Sequence, residues 1–385
     1  MPRLPATTCL RLAAFYAAFF AVIGTIQPFW PLWLAARELD ASEIGLVLAI
    51  GILAKVIGLP IAAHVADRSG ERRRPMLILA VASALAFALF AAARTFWPIV
   101  LVSLFFFPLW PPVMSLAESL TMAAARDDGF EYGRVRLWGS LAYIFSALVA
   151  GVVIVRTSVD ATFWLILAGI LTTTLTCALL PDLRAERSVS RSLPVLDLLR
   201  QGAFVRMLIA CGLVQGSHAV YYAFGTIHWQ SIGYSETIIG ALWAEGVVCE
   251  VALFAVGAAA VRWFGAAGLI GVAGLASGIR WLGAGSSDTL SLIVFLQALH
   301  ALSFGAAHLG AMHWISRNIA PALSASAQSL YSAVVFGLFL GTMIYAAGLG
   351  YATLAGQAYW LMAISGFAGA ACIRPLLRRD EPAFA

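Results

Sequence analysis

The sequence predicts an all-α polytopic membrane protein, with twelve transmembrane helices in two pseudo-symmetric six-helix halves and both termini cytoplasmic. Two observations carry the class. The 385 residues are 62% hydrophobic and only 11% charged, against roughly 25% charged in soluble domains, so the chain cannot clothe a water-facing surface. Twelve apolar stretches can also be drawn, each near the roughly 20 residues that cross a bilayer. They are continuous runs with internal Gly and Pro, which membrane helices tolerate, and not the short alternating segments of a barrel. Soluble folds, disorder and disulfide frameworks are thereby excluded. Cys9, Cys177, Cys211, Cys249 and Cys372 stand singly in apolar stretches and read as small core residues.

The first span covers 10–36. Arg3 precedes it and no small-residue cleavage site follows, so it reads as a retained helix and not as a removed signal. Spans at 43–66 and 75–93 follow. The next, 96–123, carries the kink-prone Pro108, Pro111 and Pro112, and 137–156 and 161–180 complete a first half, 1–180. Residues 181–204, rich in Arg, Ser and Asp, read as a cytoplasmic linker. The second half, 205–385, holds spans at 205–229, 237–261, 266–284, 288–312, 323–347 and 352–373. With the N-terminus inside, nineteen arginines collect on the cytoplasmic side, among them Arg3, Arg184, Arg187, Arg191, Arg378 and Arg379, while Arg37, Arg94 and Arg156 face outward. That asymmetry is the positive-inside pattern. The pI near 9.1 follows from topology and argues for no nucleic-acid partner.

A shift of 195 residues places Ile44-Gly45, Ala49 and Gly51 on Ile239-Gly240, Ala244 and Gly246, and Gly70 on Gly265. Two halves of equal orientation repeating in parallel is the plan of the major facilitator transporters, whose substrate site lies between the halves. The segment Ala63-His64-Val65-Ala66-Asp67-Arg68-Ser69-Gly70-Glu71-Arg72-Arg73 resembles the loop motif of that superfamily, G-x-L-A-D-R-x-G-R-K. Ala63 replaces its first Gly and Glu71 replaces a base. Asp67, Arg68 and Gly70 are the candidate gating loop, able to pair across a cytoplasmic gate in one state and release in the other. Anchoring of these arginines at anionic lipid is the plainer reading.

Phe130 to Ser140, with Gln215 to Ala219, Trp229-Gln230 and Gly233-Tyr234-Ser235, resembles the phenylpropionate permease group, relatives of the lactose permeases. The likeness runs over nearly the whole chain. It implies proton-coupled uptake of a small aromatic acid, which composition and spacing do not show.

Ionisable residues inside spans cost about 2.5 to 3.5 kcal/mol each at a helix centre, and such a cost demands a reason. Lys55 is the one lysine of the chain and sits mid-span, where the 195-residue shift sets it opposite Glu250. It is a candidate counter-charge for a substrate carboxylate, or a structural ion pair. Glu118 and Arg136, eighteen residues apart, resemble the carboxylate and arginine that bind sugar in lactose permease, and an ion pair tying two helices is the alternative. Arg280 and His300 resemble that family's proton-coupling arginine and histidine. Where the family has a glutamate one turn after the histidine, this chain has Ser303. Glu250, a carboxylate at mid-membrane depth about one turn from the family's own, is therefore the candidate proton carrier, with His300 second.

Helical geometry adds two stripes. Taking Gln297 as zero, His300 falls at about 300°, Phe304 at about 340° and His308 at about 20°, so His308 joins the proton-coupling set. Gln215, His218 and Tyr222 share a face of the 205–229 span, with Tyr221 beside it, and suit a flat organic acid. Hydrogen bonding between helices explains the same residues without a substrate.

An ATP-driven pump would need a phosphate loop, and the lone Lys55 is followed by Val56. An intramembrane metalloprotease would need H-E-x-x-H, which is absent. The expectation is a symporter, not an enzyme, in the cell inner membrane, with no cofactor or metal. It would be driven by the proton gradient, take a small solute and a proton as partners, sit in lipid, and work as a monomer. A sugar or nucleoside symporter, a proton-driven exporter and a non-transporting receptor are the alternatives. The exporter is disfavoured because no Gly-Pro signature follows Gly139.

Overall fold

The computed structural model describes residues 5–182 and 195–377. Arg3, the linker residues 183–194 with Arg184, Arg187 and Arg191, and Arg378 and Arg379 lie outside the described residues. Every regular element among the described residues is helical. In chain order they are α1 (Pro5–Ala35), α2 (Ala41–Ser69), α3 (Arg73–Ala88), α4 (Phe96–Asp128), α5 (Tyr132–Arg156) and α6 (Ala161–Leu179). The short α7 (Val195–Leu199) leads to α8 (Gly202–Gly216), α9 (Ala219–Ser231), α10 (Glu236–Ala255), α11 (Gly257–Phe264) and α12 (Ala266–Ala284). Then come α13 (Leu290–Ala298), α14 (Ala306–Asn318), α15 (Pro321–Tyr331), α16 (Leu340–Leu354) and α17 (Ala358–Leu377). Wide π turns at Ala301–Gly305 and Ser332–Phe339 join α13 to α14 and α15 to α16. Eleven helical runs among the described residues are long and apolar enough to cross a membrane, the last of them the 52 residues Ser326–Leu377. The protein is a multi-pass membrane protein.

Two compact units divide the chain. The first comprises Met1–Leu39, Ile50–Arg191 and Tyr234–Ala244, and the second Asp40–Ala49, Ser192–Gly233 and Glu245–Ala385. In the first unit α1 lies along α5 and α6, and α3 along α4 and α6. Membrane helices gain nothing from excluding water against lipid, so close packing must hold them, and small residues allow it. Gly24 of α1 illustrates the point, since a Cβ there would overlap Ser146 Oγ and the Tyr143 carbonyl of α5. An aromatic core backs this crossing. Trp30 and Trp33 stack at 4.4 Å, and Phe87 stacks on Phe163 at 5.5 Å. In the second unit α12 lies along α17 and α14, with Gly274 and Gly278 against Gly366, Phe367 and Ala370.

The 195-residue repeat reappears in three dimensions. Asp40 accepts from Ile44 N–H at 2.9 Å and Ser235 from Ile239 N–H at 3.0 Å, so each opens its helix. Within the first unit the start of α10 meets α5, where a Cβ on Gly240 would overlap the Ala147 carbonyl. Within the second, the start of α2 meets α16, a Cβ on Gly45 lying 2.7 Å from Gly348 Cα. The repeated glycines are therefore the ones that backbones approach.

Several expected helices are not continuous: the 237–261 span breaks at Val256 and the 323–347 span contains the π turn at Ser332–Phe339, and two further breaks shape the site. The 205–229 span breaks at Ser217 and His218, whose side chains compete for the backbone: Ser217 Oγ donates to the Val214 carbonyl at 2.6 Å and His218 Nδ1 bonds the same oxygen at 3.1 Å. The 288–312 span contains the π turn at Ala301–Gly305.

Candidate functional site

The second unit holds a buried polar network centred on Arg280 of α12, whose residue is 1% exposed. Its Nη1 donates to His300 Nδ1 at 3.0 Å and to Ser303 Oγ at 3.1 Å, and its Nη2 donates to Gln297 Oε1. Gln297 Nε2 passes the polarity on to the Tyr221 hydroxyl at 3.0 Å. The guanidinium also lies 4.8 Å from the ring centre of Tyr221 and 4.4 Å from that of Trp281. Guanidinium groups stack well on aromatic faces because they are planar and weakly hydrated. Trp281 in turn donates its indole N–H to Ser217 Oγ at 2.9 Å.

Donor and acceptor roles fix the tautomers. Arg has no acceptor, so the His300 Nδ1 it touches is bare and the ring proton sits on Nε2. That Nε2 faces Glu250 Oε2 at 3.8 Å. For His218, Nδ1 faces a carbonyl and must carry the proton, so Nε2 accepts from Ser303 Oγ at 3.2 Å. A polarised line therefore runs from Arg280 through Ser303 to His218, and another from Arg280 through His300 to Glu250. Among the described residues Arg280 makes no ion pair. The acids Glu245 and Glu250 flank it instead, Glu245 through space and Glu250 behind His300.

The bend in the 288–312 span explains this gathering. On a straight helix Ser303 would point about 240° from Gln297, away from Arg280. The wide turn at Ala301–Gly305 rotates the residues after it, bringing Ser303 into the network and parting His308 from it. Such turns leave backbone groups to be satisfied by side chains. Gln215 Nε2 does so, donating to the Phe304 carbonyl at 3.1 Å. His308 lies instead near Tyr331 and Phe336, with ring centres 6.1 and 6.2 Å away, and its buried Nδ1 has no hydrogen-bond partner among the described residues. On α9, Tyr221 enters the network while Tyr222 stacks on His218 at 5.6 Å. Gly246 of α10 lets the His300 ring lie against the helix, at 3.4 Å from its built Cβ.

The first unit carries a sparser set. Arg136 lies 4.0 Å over the Phe20 ring and 5.6 Å from that of Tyr16. Tyr132 shares electrostatic interaction with Tyr16 and Arg136, and Tyr16 donates to Thr121 Oγ1 at 3.3 Å. Glu118 shares charge interaction with Arg136 but closes no ion pair with it. Lys55 is half-buried on α2, and among the described residues no hydrogen bond or ion pair reaches it. In the gating segment Gly70 ends α2 at φ 69°, and its N–H closes on the Ala66 carbonyl at 2.9 Å. A left-handed residue at a helix end is glycine's usual place. Arg68 is exposed, Arg72 Nε donates to Ser119 Oγ of α4 at 2.8 Å, and the side chain of Asp67 lies outside the described residues.

Ser217, Trp281 and Glu245 are not among the residues expected from sequence. Tyr221 is named there only as a neighbour of the Tyr222 face, and Ser303 only as the residue standing where the lactose permeases have a glutamate. Nothing in the sequence marks the π turn that brings Ser303 to Arg280.

The model of the MFS_1 like family matches residues 9–362. The chain belongs to that family of major facilitator transporters. Among curated relatives, this family member is 31% identical over 361 residues to a protein of Escherichia coli K12 named probable 3-phenylpropionic acid transporter, covering 92% of this chain and 94% of the relative. It is 23% identical to the maltose permease of Geobacillus stearothermophilus over 84% of this chain and 83% of that one. Among solved structures, the nucleoside transporter NupG superposes with a TM-score of 0.83 at 17% identity, covering 96% of this chain and 98% of NupG. That likeness shows the shared fold.

Proposed function

We propose that this family member is a proton-coupled symporter of the cell inner membrane that imports a small aromatic carboxylate by alternating access. The observation that carries the substrate class is the 31% identity, over nearly both full lengths, to the probable 3-phenylpropionic acid transporter. Coupling is supported by the network around Arg280, in which a neutral His300 presents its Nε2–H toward Glu250 at 3.8 Å. Glu250 takes the proton, which removes one buried charge and changes the balance against Arg280. Lys55, Glu118, Arg136, Gln215, His218 and Tyr222 are the candidate substrate contacts. Asp67, Arg68 and Gly70 form the gating loop. Arg280, His300 and His308 support the proton step.

The topology belongs to the same reading. The last apolar run of 52 residues is broken at Ala355, where φ is 47°, and counts as two spans. That gives twelve, with both termini cytoplasmic. Trp97, Trp164 and Trp360, exposed near the starts of α4, α6 and α17, suit the outer interface. A sugar or nucleoside substrate is the second reading, favoured by the maltose permease relative.

Counterflow in proteoliposomes tests the substrate. Preloaded vesicles should take up labelled 3-phenylpropionate and leave maltose and uridine outside. Counterflow of maltose or uridine without 3-phenylpropionate would move the assignment to the second reading.

A further inference from the structure

One polar feature of the second unit stands apart from the residues assigned so far. At the ends of α9 and α12, His228 Nε2 meets Asp288 Oδ1 at 3.2 Å, and the side chains are 10% and 57% exposed respectively. Beneath this pair lies a cavity lined by both residues and by Tyr221, Arg280, Gln297 and Tyr359. The cavity thus touches a mostly exposed carboxylate at one end and the Arg280 network at the other. The His228 ring is held from three directions: the Gly356 backbone lies so close that a Cβ there would overlap it, Tyr359 meets it edge-on at 6.0 Å, and Tyr351 does so at 6.4 Å.

The walls favour protons over solute. Trp229 and Trp281 complete the aromatic lining. A proton needs only water and a hydrogen-bonding chain. The titratable and charged groups facing His228 are Asp288 from the loop after α12, Tyr351 and Tyr359 from α16 and α17, and, across the cavity, Tyr221 and Arg280. Asp288 is the one acid among them.

We propose that the His228 and Asp288 pair, with the cavity beneath it, is the port through which protons reach the Arg280 network. The imidazole takes a proton from water on the Asp288 side and holds it as imidazolium against the carboxylate. It then releases that proton to water entering the cavity, so one proton moves and His228 returns to its neutral form. From the cavity, water carries the proton on toward Glu250, because the Gln297 amide and the Arg280 guanidinium cannot accept and pass one on. The proposal rests on the symport reading, and the test separates the two.

Purified protein is reconstituted with pyranine trapped inside the vesicles, and 3-phenylpropionate is added outside. Wild type should acidify the interior. His228→Gln should keep counterflow while acidification slows about tenfold or more, the scale on which a positioned acid-base group acts. Asp288→Asn, at a mostly exposed site, should slow it by a smaller factor and decides the matter if His228→Gln elutes as aggregate. Wild-type acidification rates in variants with intact counterflow would overturn the port and leave symport standing. Loss of counterflow in step with acidification would also overturn it, by making the pair part of the substrate machinery. Wild type that exchanges 3-phenylpropionate without acidification would overturn symport, and the port with it.

Discussion

The two units treat buried charge in opposite ways. In the second, Arg280 is surrounded by acceptors already in place: His300, Ser303 and Gln297. In the first, Lys55 meets no hydrogen-bonding or ionic partner among the described residues, and Arg136 rests on the face of Phe20 with Glu118 nearby but unpaired. A charge that is already satisfied holds structure. A charge left on an aromatic face or without a partner is ready for a ligand. The comparison teaches that the two halves of a repeated fold hold buried charge differently, with a satisfied network in one unit and a sparser, less paired set in the other.

The largest expected effect comes from breaking the satisfied side. Arg280→Met strands the acceptors on His300, Ser303 and Gln297, and each buried unsatisfied group costs about 1 to 3 kcal/mol. Thermal unfolding in detergent should therefore show a marked loss of stability together with loss of uptake. Arg280→Lys should recover little, because an ammonium cannot reproduce the fork.

The matching change on the open side should do the reverse. Lys55→Ala removes a desolvated charge that has nothing to lose in the fold, so the melting temperature should hold or rise. Binding of 3-phenylpropionate should weaken about tenfold or more, equal to about 1.4 kcal/mol. Unchanged affinity, measured by calorimetry or counterflow, would remove Lys55 from the binding set.

Ser303→Ala sharpens the comparison within the second unit. It cuts the line from Arg280 to His218 at one hydroxyl and should cost about 1 kcal/mol, with slower uptake and a preserved fold. If the variant is as stable and active as wild type, the line through His218 carries no function.

Helix starts should respond least. Asp40 and Glu43 form a reciprocal cap, Asp40 N–H donating to Glu43 Oε2 at 3.0 Å and Glu43 N–H to Asp40 Oδ1 at 2.9 Å. The Ser42 hydroxyl and the Glu43 N–H hold the Asp40 carboxyl below the usual carboxylate range. A folded value below the unfolded one gives stability that is present above about pH 4 and lost as pH falls through the folded value. Asp40→Ala should cost about 1 kcal/mol at neutral pH, with the difference from wild type shrinking as the medium is acidified.

Much of this was legible in the sequence. Composition gave the membrane class, and the 195-residue shift pointed at Gly45 and Gly240, which the fold uses as close-approach positions. Arg280, His300 and Gln297 were visible as polar residues in apolar runs, because lipid makes such residues costly and therefore informative. What stayed hidden depended on departures from a straight helix. The break at Ser217 and His218 and the π turn after His300 change which residues share a face. Ser303 and Tyr221 thereby joined the network while His308 left it, and no periodicity of 3.6 could report that. The pairing of His228 with Asp288 is likewise tertiary, joining residues sixty apart.

Accumulation driven by a pH gradient, compared between wild type and Glu250→Gln, tests the central claim most directly. In proteoliposomes with an acidic exterior, wild type should concentrate 3-phenylpropionate inside and lose that gradient on addition of a protonophore. Glu250→Gln, neutral and of the same shape, should still exchange substrate but should not accumulate it. Accumulation by Glu250→Gln that fails only in His300→Gln would contradict the assignment and move the proton to the π-turn segment.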